Sequence, residues 1–314
     1  MAAKVWEPAQ WGKHACVGKD IHALFVPKNE MGWEVMMASP HHAQEQSPSI
    51  ALSMWESNRL PEGTVEKLNQ HQAIINPSRW GLESWDAAGV ARPMYRINLP
   101  LSDVFREYRP LPQSGPFTFG MACRRAHGGL RKGVVQACEC FLAAFSDQKD
   151  VRLRLKFYPD CSVSDIPQDP RIEIIQEAYT DEQMAEFLAS LHCYVSTSQA
   201  EGYGLVQCQA MGVGRPVLGA MAHAQRDYLS ESCSWLTDYE LRDATEVNPA
   251  NGYYRGFVYP LLDGGVVRSM HLAYSHRDQT EVKGKLGNLR AQQMTWERFG
   301  YEFLAALKKE GLPV

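Results

Sequence analysis

A chain of 314 residues is long enough for two α/β domains that each bury a core, so two domains with a cleft between them is the starting expectation. Hydrophobic residues at 45% and charged residues at 22% sit near globular averages, which excludes disordered, collagen-like and coiled-coil classes. A formal net charge of -4 gives no global attraction to nucleic acid or to anionic membrane, so any such partner must be met by a local patch.

No apolar run reaches the roughly 18 residues that a membrane-spanning helix needs. The opening Met-Ala-Ala-Lys-Val-Trp-Glu-Pro lacks the basic-then-apolar pattern of a secretory signal, and a cytoplasmic protein is expected. The 8 cysteines are scattered, several inside apolar segments, as reduced buried thiols are. The close pair Cys138-Glu-Cys140 has the wrong spacing for a zinc knuckle, and on a helix its side chains diverge.

In chain order, His41 and His42 fall in a Pro-Gln-Ser-rich loop and read as solvent-exposed. Residues 50–55 and 72–75 read as short strands, and 79–88 as a helix behind the Asn76-Pro77-Ser78 turn. Residues 100–116 contain four prolines, which forbid a continuous helix or central strand and mark a linker. Beyond it, strands are expected at 117–121, 151–157, 171–175, 193–196 and 216–218. Helices are expected at 133–145, 181–191 and 205–211. That alternation implies a parallel, doubly wound sheet whose ligands bind at the carboxyl ends of its strands. Residues 286–307 form one amphipathic helical pattern, interrupted only at Gly300, that can cross back to the first domain. The expected domains are residues 1–108 completed by 286–314, and residues 109–285.

Two segments carry chemistry. In Val195-Ser196-Thr197-Ser198-Gln199-Ala200-Glu201-Gly202-Tyr203-Gly204-Leu205-Val206-Gln207-Cys208-Gln209-Ala210-Met211-Gly212-Val213-Gly214-Arg215-Pro216-Val217-Leu218, a buried strand enters a small-residue turn and a helix opens. Gly202 and Gly204 permit positive φ and close approach of a ligand, and the first amides of the helix are a site for phosphate oxygens. Glu201, just before the helix, can reach hydroxyls of whatever the diphosphate carries. Gln209 lies a little over two helical turns further on and is placed less directly. A bare Gly-x-Gly turn more often serves only tight packing. The second segment follows the strand at 117–121 and holds four basic residues in nine, Arg124, Arg125, Arg131 and Lys132. Such a run is either a solvated loop or an anion site.

Over about 24 residues the first segment resembles the Ser-x-x-Glu-Gly-Phe-Gly-Leu…Glu-Ala-Met-x-x-Gly-x-Pro-Val signature of the retaining glycosyltransferases of family 4. The second resembles that family's strand-Gly-x-x-Arg…Lys-Gly element. The resemblance covers the second domain well and the first in patches. It implies the GT-B fold, two Rossmann-like α/β domains facing a cleft. By the same resemblance, Glu201 binds sugar hydroxyls of the donor, and Gly202, Tyr203, Gly204 and Leu205 hold the diphosphate. Gln209 stands where the family has a ribose-binding carboxylate, and loses the charge-assisted bond. Arg124 or Arg125, with Lys132, neutralises the departing diphosphate. Tyr179 and Thr180 lie in a turn like the one that contacts the base, where Thr180 or Asp181 also caps the next helix. Glu56, in Met54-Trp55-Glu56-Ser57-Asn58-Arg59-Leu60-Pro61, would face the cleft on the acceptor side. Gly12, in Gln10-Trp11-Gly12-Lys13, stands where the family has a donor-phosphate loop, without its usual glycine pair.

The reaction so implied moves a sugar from a UDP or GDP sugar with retention of configuration, the diphosphate taking the acceptor's proton. The nucleotide sugar is then a substrate, and neither cofactor nor metal is expected: the sequence holds no Asp-x-Asp, and fixed cations take the ion's place. The acceptor stays open among polysaccharide, lipid, protein and a modified DNA base. A rival reading is a weak or inactive GT-B-like binding protein, suggested by Gln209 and the short first domain. Another is a nucleotide-using epimerase, for which residues 11–20 supply no Gly-x-Gly-x-x-Gly.

Overall fold

The computed structural model describes residues 23–27, 33–36, 50–123, 130–247 and 255–312, the first two segments by their backbone alone. Two sheets organise the chain. The first takes β1 (Ala23–Pro27), β2 (Trp33–Met36), β3 (Ile50–Leu52), β4 (Ala73–Asn76) and β5 (Met94–Arg96) in the order β2-β1-β3-β4-β5. β3, β4 and β5 are parallel, and β1 runs antiparallel to both β2 and β3. Helix α1 (Thr64–Leu68) lies between β3 and β4, and α2 (Arg79–Ala87) between β4 and β5. Ser78 caps α2, its hydroxyl accepting from Gly81 N at 3.0 Å, which is why the chain turns into helix directly after β4. The proline-rich segment adds only the single turn α3 (Asp103–Arg106).

The second sheet contains β6 (Phe117–Cys123), β7 (Val151–Phe157), β8 (Ile172–Gln176), β9 (Cys193–Val195), β10 (Val217–Gly219) and β11 (Ser234–Leu236). All are parallel, in the order β11-β10-β9-β6-β7-β8. Order reverses at the β6–β9 pair, the switch point outside whose carboxyl ends a doubly wound sheet opens a crevice. The alternation Val151, Leu153, Leu155 sends apolar side chains into one core with Phe119, Phe141 and Phe145. Helices α4 (Val134–Ala144), α5 (Asp181–Ala189) and α6 (Leu205–Gly212) connect these strands. On α4, Cys138 packs into the core while Cys140 Sγ lies 3.8 Å from the Asp263 carbonyl. After β11 come β12 (Arg242–Asp243), α7 (Ala244–Val247) and β13 (Phe257–Val258), then α8 (Asp263–Ser275), α9 (Arg277–Ala291) and α10 (Trp296–Lys309).

The single helix expected over 286–307 is two helices. The break is at 292–295, and Gly300 sits inside α10. Thr295 restarts the helix by accepting from Arg298 N at 3.0 Å. The break follows from divided loyalties: α9 lies on α6, whereas α10 buries Phe299, Phe303 and Leu307 against Ile50, Leu52, Ala73 and Ile75 of the first sheet. The chain does cross back, as expected. No helix among the described residues is long and apolar enough to cross a membrane.

Candidate functional site: a charged cluster at the switch point

Both segments singled out from the sequence leave the carboxyl ends of neighbouring strands, β6 and β9. The loop after β6 reaches a 3₁₀ turn, Leu130–Lys132, and α4 begins directly behind Gly133. Gly133 holds φ 63°, and a β-carbon there would collide with the Thr197 backbone. Thr197 Oγ1 donates to Gly133 O at 2.8 Å with Lys132 O at 3.1 Å, and Gln199 N donates to Arg131 O at 2.8 Å. The end of β9 is thus laced to the turn that presents Arg131 and Lys132.

Glu201 is the centre of the cluster. Its Oε1 pairs with the Lys132 ammonium, and Arg131 Nη1 stands 3.5 Å from its Oε2. The same guanidinium donates to Ala200 O at 2.7 Å and turns Nη2 toward Glu56 Oε1 at 3.6 Å, so Glu56 joins from the loop after β3. Gln207 Nε2 lies 3.5 Å from Glu201 Oε1 and donates to Ser196 Oγ at 2.9 Å, which also accepts from Gln225 Nε2 at 2.8 Å. Burial by itself pushes the Glu201 carboxyl up, but Lys132 and Arg131 outweigh it and hold it down to about 2. The carboxylate is therefore ionised at neutral pH. His223, at φ 40°, is buried beside it with Nε2 3.4 Å from Ser198 O. Burial takes the imidazole down to about 4, although Glu201 opposes the shift, so the ring is neutral.

Gly204 opens α6 at φ 93°, and no side chain caps either α6 or α4, whose first amides stay available for an anion. Tyr228 Oη donates to Tyr203 O at 2.9 Å and braces this turn. Gly202 does not adopt the positive φ expected of it. Its missing side chain admits the Trp55 carbonyl, which a β-carbon would meet at 3.0 Å. The Tyr203 ring is buried in the core beside Tyr228, so only its backbone faces the turn. Leu205 is exposed at the first position of α6, and Gln209 is half-buried one turn on. Tyr179 and Thr180 lie apart from this cluster, after β8. Thr180 spends its hydroxyl on a capping box with Gln183, and the half-buried Tyr179 ring lies 4.9 Å from the Lys156 ammonium. Gly12, Arg124 and Arg125 lie outside the described residues.

Sequence reasoning left Arg131, Gln207, Gln225 and His223 unassigned. Arg131 had a local signal, its place beside Lys132 in a basic run. His223 and Gln225 had none, because they follow β10 and come beside Glu201 and Ser196 respectively only through the parallel packing of β9 and β10.

No family model matches the chain, and no curated protein matches it. Solved structures do. A sucrose-phosphate synthase from Thermosynechococcus elongatus is similar at 18% identity and a TM-score of 0.58, covering 79% of this chain and 62% of that one. Anabaena HepE, solved in complex with UDP and glucose, is similar at 14% identity and a TM-score of 0.61, covering 78% and 65%. A UDP-forming trehalose-phosphate synthase from Burkholderia xenovorans is similar at 10% identity and a TM-score of 0.60, covering 87% and 71%. The chain spans less than two thirds of the length of the first two. Two sheets joined by a returning helix, a doubly wound second sheet and this set of neighbours together give the chain the fold of the GT-B glycosyltransferases.

Proposed function

We propose that the protein is a glycosyltransferase that takes a sugar from a nucleotide diphosphate sugar, with retention of configuration and without a metal. The observation that carries this reading is the Lys132–Glu201–Arg131 cluster set between two uncapped helix starts at the switch point. An ammonium has three donors, so Lys132 can keep Glu201 while offering another hydrogen to a phosphate oxygen. The α6 amides and Arg124 or Arg125 would take the remaining phosphate charge. Charge grows on the leaving diphosphate as the glycosidic bond breaks, and fixed cations stabilise it there without reorganisation. Glu201, kept ionised, accepts from sugar hydroxyls and orients the ring. The acceptor attacks from the leaving-group face, its proton passing to a phosphate oxygen. The part bearing the second sheet holds the donor, with Tyr179 near the base, and Glu56 lies on the acceptor side. UDP and GDP sugars are the candidate donors, and UDP is present in the HepE complex. Polysaccharide, lipid, protein and modified nucleic-acid bases all remain as acceptor classes.

Gln209 favours a second reading, a GT-B-like protein that binds nucleotide sugars with little turnover. Calorimetry with UDP, GDP, UDP-glucose, UDP-N-acetylglucosamine and GDP-mannose on wild type, Glu201→Ala and Lys132→Ala tests the donor site. Selective binding of one nucleotide sugar, weakened at least tenfold in both variants, is expected. Binding of none would remove the reading. Slow release of free sugar, unaffected by EDTA, separates the transferase from the binder.

A further inference from the structure

A second polar feature lies along the carboxyl edge of the same sheet, away from the charged cluster. Lys156, the last residue but one of β7, is 5% exposed. Among the described residues its ammonium has no ion-pair partner. It lies 4.5 Å from the centre of the Tyr158 ring and 4.9 Å from that of Tyr179, and the Cys161 and Cys123 thiols and the Glu177 carboxylate are near enough to favour its charged form. Burial lowers its proton affinity. A cation withdrawn from water and faced by two phenol rings, with no carboxylate at ion-pair distance among the described residues, is an expensive arrangement, and fold stability alone is better served by an apolar side chain.

The surroundings indicate what the cation is for. Tyr158 is 41% exposed and follows β7 directly, and Tyr179 follows β8, so a half-open aromatic surface flanks a hydrogen-bond donor at the carboxyl ends of two adjacent parallel strands. Neighbouring strands are about 4.8 Å apart, so the β7–β8 edge lies roughly 10 Å along the sheet from the β6–β9 switch point. That is the reach of a ribose and a phosphate. An aromatic surface takes a planar heterocycle. Lysine has three donors and no acceptor, so it bonds a ring carbonyl and is mismatched against an exocyclic amino group.

We propose that Lys156, with the Tyr158 and Tyr179 rings, selects nucleoside diphosphates whose base carries a carbonyl at C4 of uracil or C6 of guanine over those with an amino group there, cytosine or adenine. This rests on the donor-site reading above. Lys156 is a specificity residue and takes no part in bond cleavage. UDP and CDP share the C2 carbonyl and differ at C4, carbonyl against amino, with the matching change at N3, which makes them the decisive pair for a reader of the C4 oxygen.

The experiment is calorimetric titration of UDP, CDP, GDP and ADP into wild type, Lys156→Met, Tyr158→Ala and Lys132→Ala. Wild type is expected to bind UDP at least tenfold more tightly than CDP, with GDP similarly ahead of ADP. Lys156→Met, which keeps the packed stem and loses the donor, is expected to bring each ratio within threefold. Tyr158→Ala changes an exposed residue and is expected to fold, weakening UDP and GDP while leaving the ratios in place. Lys132→Ala should weaken all four alike through the shared diphosphate. If wild type binds UDP and CDP equally, or if Lys156→Met weakens all four without changing the ratios, the selection role is overturned while the donor site stands. If Lys156→Met does not fold, the wild-type ratios and Tyr158→Ala still decide: a wild-type preference of less than threefold overturns the proposal. Failure of all four nucleotides to bind wild type overturns the donor site and this inference with it.

Discussion

Glu201 and Lys132 define the site at the scale of single residues, and their pairing has a pH signature. The Glu201 carboxyl sits at about 2 in the folded chain against an ordinary 4.5. A depressed carboxyl contributes stability that is complete above its unfolded value and drains away as pH falls through the folded one, here from about 4.5 to about 2. Lys132→Met removes the nearest cation and leaves a buried carboxylate beside Arg131 alone. Urea denaturation near neutral pH is expected to show a loss of about 3 kcal/mol, with a shallower decline between about pH 5 and pH 2 than in wild type. Glu201→Gln should cost less, because the cations it strands reach solvent more readily than the carboxylate does, at 20% and 21% side-chain exposure against 8%. Equal losses in the two variants would mean that the pair contributes through packing and not through charge.

Among the elements, α9 shows most plainly how close approach governs residue choice. It crosses α6 with Gly284 against the Gly214 carbonyl and Gly287 against Met211, and Asn288 Nδ2 reaches the Gly212 carbonyl. A β-carbon at Gly284 would collide with backbone on the strand side of α6, which can only move by separating the helices. Gly284→Ala is expected to lower stability by about 2 kcal/mol, within the range of overpacking changes. Gly264, in the first turn of α8, meets nothing within 4 Å. There Ala restricts the unfolded chain without a clash, and thermal melting should rise by the equivalent of about 0.5 to 1 kcal/mol. The opposite signs of two identical substitutions are the test. A fall for both would mean that glycine serves α8 for a reason other than space.

On the scale of the whole molecule, the two sheets are tied together around the charged cluster. Trp55 of the loop after β3 shares an apolar cluster with Ala200, Ala244 and Val258 of the second part. Asp227 Oδ2 accepts from Arg79 N at 2.6 Å, Arg226 pairs with Glu83, and Arg131 spans from Glu201 to Glu56. Helix α10 closes the circuit by burying its apolar face on the first sheet. Phe303 fills that contact with Ile50, Leu52 and Ile75, stacking on Phe299 at 6.3 Å. Phe303→Ala is expected to cost about 3 to 4 kcal/mol in urea denaturation. UDP affinity should stay within twofold, since no residue of the charged cluster touches this layer. A large fall in affinity would mean that the returning helix sets the position of the donor loops.

How much of this was legible beforehand follows from the range of the forces involved. Five of the six strands of the second sheet and the helices α4, α5 and α6 were readable because their signals are local: alternating side chains in 151–157, a capping threonine at 180, a glycine turn ahead of α6; the three-residue β11 was not read. Glu201 and Lys132 were readable for the same reason, each lying within a few residues of the turn that presents it. The short strands β1, β2 and β5 were not read, because three to five residues carry too little pattern and owe their form to partners. The pattern over 286–307 was read as one helix interrupted only at Gly300, the residue of poorest helix propensity, whereas packing on two different surfaces splits it into α9 and α10 ahead of Thr295. What the sequence determined by itself was the alternation of elements and the chemistry of two loops, since both rest on contacts between near neighbours. Only the tertiary structure decided that Arg131 bridges Glu201 to Glu56, that His223 and Gln225 stand behind them, and that Lys156 has two tyrosine rings for company, because parallel strands bring together residues whose separation in the chain no local pattern records.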